Sequence, residues 1–226
     1  MRRKNAWTTY NKKQLDELEK LCKNYLKFLD KGKTERECVK QIVKQAEEKG
    51  YVNLADITKD KKALKAGDKV YSVCMDKTVA LFQIGKKKLE KGMNILGAHI
   101  DSPRMDVKQN PLYESEEFAY LDTHYYGGIK KYQWVTLPLA LHGVVVKKDG
   151  TVITVNVGED KNDPVFCVTD LLIHLAGEQM EKKANKVIEG ENLDVLVGSK
   201  PLEGKEKDAV KEGILAVSYT HLRAHE

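Results

Sequence analysis

His99 and Asp101 carry the clearest chemical signal in the chain. They close the run Ile95-Leu-Gly-Ala-His-Ile-Asp-Ser-Pro-Arg104. Side chains alternate faces along a strand, so residues two apart project together. An imidazole and a carboxylate at the end of an apolar run, just ahead of a Ser-Pro break, suit a metal ligand held at the lip of a sheet. The carboxylate can hold the imidazole in one tautomer and raise its basicity. A catalytic zinc needs about three protein ligands and an open position. Two-metal hydrolases add a bridging carboxylate between ions about 3.5–4 Å apart. One His-x-Asp does not supply that set. On residue type alone, a strand-end histidine bonded to backbone is the plainer reading.

The other chemical candidates are weaker. Glu116-Glu117 is a carboxylate pair in a polar, loop-like stretch and reads as solvated. Glu117 or Asp106 would be needed beside His99 if the chain were a self-contained metal hydrolase of another kind. His124 precedes Tyr125-Tyr-Gly-Gly128, where paired glycines permit positive φ. That stretch is either a turn or a loop reaching a ligand or a neighbouring subunit, and both readings stay open. His142 and His174 sit among apolar residues and read as packing or interface positions. No HExxH, GxSxG, P-loop or GxGxxG occurs, so serine esterase, phosphate-loop and dinucleotide chemistries have no support.

The elements that must position His99 can be traced from the periodicity. Residues 11–31 predict an amphipathic helix, with Leu15, Leu18, Cys22, Tyr25, Leu26 and Leu29 on one side and Gly32 at the end. Thr34-Glu-Arg-Glu37 is a capping box that opens a second helix, with Val39, Ile42, Val43 and Ala46 as its buried stripe. A polar connector follows from Lys59 to Lys69. Val70–Cys74 and Val79–Ile84 flank Met75-Asp-Lys-Thr78 as a hairpin. Met93–Ile100 is apolar almost throughout and predicts a central strand buried on both faces. Helices with such a strand indicate an α/β layer.

The texture changes after Arg104. Tyr113–Phe118 is acidic and irregular. Strands are expected at Ala119–Asp122, Tyr132–Leu141, Gly143–Lys147 and Thr151–Val157, the last two joined by Lys148-Asp149-Gly150. Thr169 or Asp170 caps an expected helix running to about Asn185, and Asn192–Gly198 is a further strand. Glu203–Lys211 reads as loop or helix start. This is a β-rich module distinct from the layer before it.

The bulk numbers bound the function classes. The 226 residues suffice for one large domain or two small ones. The net charge is +5, but the lysines are interleaved with acids and no aromatic-basic cluster accompanies them, so no nucleic-acid partner is expected. Cys22, Cys38, Cys74 and Cys167 have no CxxC spacing and fit reduced thiols of a cytoplasmic protein. No apolar run approaches the ~18–20 residues of a membrane span.

Ala98-His-Ile-Asp-Ser-Pro103, then Tyr125-Tyr-Gly-Gly-Ile129, Trp134 and Pro138-Leu-Ala-Leu-His-Gly-Val144, resemble the M18 family of zinc aminopeptidases, most closely the bacterial type. Asp170-Leu-Leu-Ile-His-Leu175 and Val195-Leu-Val-Gly-Ser-Lys-Pro201 resemble it too. The resemblance implies a two-zinc exopeptidase acting on peptides. It implies the N-terminal part of a helix-layered α/β catalytic domain over residues 1–107, then an inserted β-rich dimerisation domain over 108–216. Members assemble as dimers that build dodecamers. His99 matches the first zinc ligand and Asp101 the catalytic residue that orients it. The bridging Asp, the Glu-Glu pair, the next carboxylate ligand and the final His have no matching positions. The resemblance therefore implies an inactive fragment, and the other reading is a non-enzymatic assembly or binding module with a vestigial metal site.

The last ten residues, Val217-Ser-Tyr-Thr-His-Leu-Arg-Ala-His-Glu226, are what one frame of a transposase end joined to a sequencing adapter encodes. Residues 217–226 are expected to be a non-native tail, which removes His221 and His225 from the ligand candidates despite their i, i+4 spacing.

Overall fold

A computed structural model describes residues 3–60 and 62–223. The chain forms two compact units, Met1–Ser102 and Pro103–Glu226.

The first unit is built by two strongly capped helices. In α1 (Lys12–Lys31) the Asn11 side chain accepts from the Gln14 amide, and the Gln14 side chain accepts from the Asn11 amide. In α2 (Glu35–Glu48) Thr34 and Glu37 form the expected capping box. Glu35 and Glu37 also place negative charge at the positive end of the helix. α2 buries Val39 and Ala46 as the periodicity predicts, with Cys38 beside them. It packs on a three-stranded sheet of order β1-β2-β3. β1 is Val52–Asn53, β2 Lys69–Cys74 and β3 Thr78–Gln83. Val70 and Tyr71 of β2 are buried, and the Tyr71 hydroxyl donates to Glu47 Oε1 of α2 at 2.8 Å. The predicted hairpin joins β2 and β3 through Met75 and Asp76, both at positive φ. A short helix, α3 (Leu54–Lys59), is capped by Asn53; it and β1 are too short to show a periodicity.

Two expectations fail in this unit. The apolar stripe of α1 is largely uncovered: Leu15 and Leu18 are half-buried, but Cys22, Tyr25, Leu26 and Leu29 are exposed. Met93–Ile100 is not a strand. It belongs to no sheet, and Leu96 is fully exposed. A strand exists only through a neighbour that takes up its amide and carbonyl groups. No described strand lies beside this run, so its apolar sequence has nothing to pair with.

The second unit is β-rich. β4 (Arg104–Ser115) and β5 (Phe118–Tyr126) form a long antiparallel hairpin. Tyr113–Phe118, read as irregular, is its tip, where Glu116 and Glu117 both adopt positive φ. β9 (Val195–Gly198) lies against β5, and β8 (Cys167–Val168) against β9. A separate ribbon pairs β6 (Leu141–Val146) with β7 (Val152–Val157). Its turn is the predicted one: Gly150 is at positive φ and Asp149 Oδ1 accepts from the Thr151 amide at 2.8 Å. Val135, Phe166, Val168, Ile188, Leu193 and Val195 make the core.

The strand expected at Tyr132–Leu141 is instead a short 3-10 turn and two isolated bridges, Val135 to Val168 and Leu139 to Phe166. Pro138 has no N–H to give a ladder. The helix expected from Thr169 or Asp170 shrinks to α4 (Gly177–Met180). The Asp170 carboxylate accepts from the Leu171 amide and from Gln179 Nε2. Leu171, Leu172, Ile173 and Leu175 are exposed. A helix draws most of its stability from burying its apolar face, and here Leu171, Leu172, Leu175 and Met180 all stay exposed and only Ala176 is buried.

α5 (Ala209–Arg223) packs on β4, β5 and β9 and runs through Ala216 without a break. Its N-terminal amides are capped from another element: Glu114 Oε2 of β4 accepts from the amides of Val210 and Lys211 at 2.9 and 2.8 Å. Gly198 lets the helix approach, since a Cβ there would lie 2.7 Å from Ile214 Cδ1.

Asp194 ties β9 to the hairpin. Its Oδ2 accepts from the Tyr113 hydroxyl at 2.6 Å, and its Oδ1 from the Thr123 amide at 3.4 Å. Burial, then the bond to Asp194, holds the Tyr113 phenol well above its ordinary value of 10.0. A raised folded-state value means that the stabilisation is complete below the unfolded value and is lost as pH rises toward the folded one. Denaturant titrations should therefore show wild type losing stability above pH ~10, while Tyr113→Phe, less stable at pH 7, loses less over that range, Tyr71 being raised as well. At the hairpin tip, positive φ strains both glutamates, whereas Asn-Gly suits the turn. Glu116→Asn with Glu117→Gly should raise unfolding stability by about 1 kcal/mol, read by urea titration.

Candidate metal centre

His99 lies in the irregular run, in no helix or strand, that precedes the Ser102-Pro103 break. Its Nδ1 is 3.1 Å from Asp101 Oδ1 and 3.1 Å from the Asp101 carbonyl oxygen. Both neighbours are acceptors, so Nδ1 carries the proton and donates. Nε2 then keeps its lone pair and is the atom free to bind a metal. The imidazole is 85% exposed, against 35% for the Asp101 side chain. The carboxylate is thus the sheltered partner and the ring the presented one. This is the donor chemistry of a zinc-bound histidine with its orienting carboxylate. It supplies one ligand. Among the described residues no three of His, Cys, Asp and Glu converge into a metal site.

The remaining candidates are dispersed. Asp106 accepts from Arg104 Nε at 2.7 Å and from Nη2 at 3.4 Å, and the guanidinium sits 4.3 Å from the centre of the Tyr126 ring. Glu116 and Glu117 occupy the hairpin turn. His124 stacks on Tyr125, and Gly127, at positive φ, packs against Pro103. His142 pairs with Glu159, Nε2 to Oε1 at 3.0 Å, which agrees with a packing role. Of the two readings of His174, packing or interface, packing within the chain fails: it is exposed with the apolar run around it. The side chains of His221 and His225 lie outside the described residues. The Glu159 partnership had no signal in sequence, because the two residues meet only across the β6–β7 ribbon. All four cysteines are free; Cys38 is buried, which pushes its thiol up.

These features define a mixed α/β protein with one candidate metal ligand at the end of its first unit. The chain belongs to the M18 family: the model of the aminopeptidase I zinc metalloproteases matches residues 28–224. A protein of Clostridium acetobutylicum named as a probable M18 family aminopeptidase 1 is 59% identical, over 95% of this chain and 46% of its own length. An M18 aminopeptidase structure from Thermotoga maritima superposes with a TM-score of 0.88 at 43% identity, covering 98% of this chain and 47% of that one. The Clostridium acetobutylicum aminopeptidase I structure gives 0.82 at 57% identity, over 96% and 48%. The chain spans about half the length of the relatives it matches.

The bond between His99 and Asp101 has a direct readout. In wild type the neutral ring should be the Nδ1–H tautomer, seen in two-bond 1H–15N correlation spectra. Asp101→Ala should move it toward Nε2–H, the form that free imidazole side chains prefer, without changing the circular dichroism.

Proposed function

We propose that this chain is the N-terminal part of a metal-dependent aminopeptidase that removes N-terminal amino acids from peptides. His99 is a zinc ligand and Asp101 the residue that orients it. The observation that carries the reading is the 3.1 Å contact of His99 Nδ1 with the Asp101 carboxylate, which leaves Nε2 outward. Family membership supports it, since the family is described as zinc metalloproteases. Metal in such a site activates water and polarises the scissile carbonyl. What this chain contributes is narrower. Asp101 keeps the proton on Nδ1, and so keeps the Nε2 lone pair available. Pro103, against which Gly127 packs, leads into β4.

Residues 1–107 then belong to the catalytic domain, residues 108–216 to an inserted dimerisation domain, and residues 217–226 to a non-native tail. The partners are peptide substrates and further copies of the protein, as dimers within a dodecamer. The exposed run Leu171, Leu172, Ile173 and Leu175 supports such an interface. A cytoplasmic setting fits the four free cysteines. No helix among the described residues is long and apolar enough to cross a membrane.

The second reading, an assembly module with a vestigial site, draws on the lack of a three-ligand cluster among the described residues. The sequence that follows Ala216 in the genome discriminates: a Glu-Glu pair and a further His support the aminopeptidase, and their absence supports the module. The purified 226-residue chain should cleave no aminoacyl substrate. Calorimetric zinc titration should show weak binding at most, lost in His99→Ala, because one imidazole and one carboxylate are too few ligands. Turnover by a preparation free of host peptidases would overturn the incomplete-site reading.

A further inference from the structure

We draw no further inference here: the strongest candidate, the cleft of the first unit bordered by Lys49, Lys62, Lys65 and Lys69, rests on surface side chains of a chain that spans about half the length of its relatives, and nothing in the structure shows what covers it.

Discussion

The second unit depends on β9 lying against β5. Four residues, Val195–Gly198, connect the hairpin on one side to β8 on the other. Asp194 and Leu193 fix that strand from its start. The Asp194 carboxylate takes the Tyr113 hydroxyl and the Thr123 amide, and the Thr123 hydroxyl donates to the Leu193 carbonyl. Leu193 is fully buried in the core. Polar groups that are satisfied in a buried place have one good arrangement, so this knot sets register as well as energy. α5 follows from it: Gly198 gives the helix its approach, and Glu114 caps the helix from the neighbouring hairpin.

The first unit shows the same rule from the other side. Its helices are secured by local bonds, and its hairpin by a turn. The run that carries His99 has neither. It leads to the candidate ligand as a segment in no helix or strand whose apolar side chains face solvent. The His99–Asp101 contact survives there because it is local, closing over two residues. A multi-ligand metal site cannot be local in that way. It requires several ligands to be brought to one place, and among the described residues no three of His, Cys, Asp and Glu converge.

What was legible in the sequence was whatever depended on near neighbours. The capping box at Thr34 and Glu37, the turn before Gly150 and the hairpin around Met75 all appeared as read. The motifs that resembled the M18 family pointed to the family to which the chain belongs. The failures share one cause. Met93–Ile100 and the residues after Thr169 have the composition of a strand and a helix, but composition states only what a segment would do if covered.

The sequence by itself determined where helices begin, which turns reverse the chain, and that an imidazole and a carboxylate two residues apart meet at 3.1 Å. Those outcomes follow from hydrogen bonds that close over two to four residues. Tertiary structure alone decided that β9 joins β5, that Glu114 caps a helix 96 residues away, and that His142 meets Glu159. It also decided that the most strand-like run in the chain is not a strand. Pairing needs a neighbour in space, and no local pattern of residues specifies which one, if any, will be there.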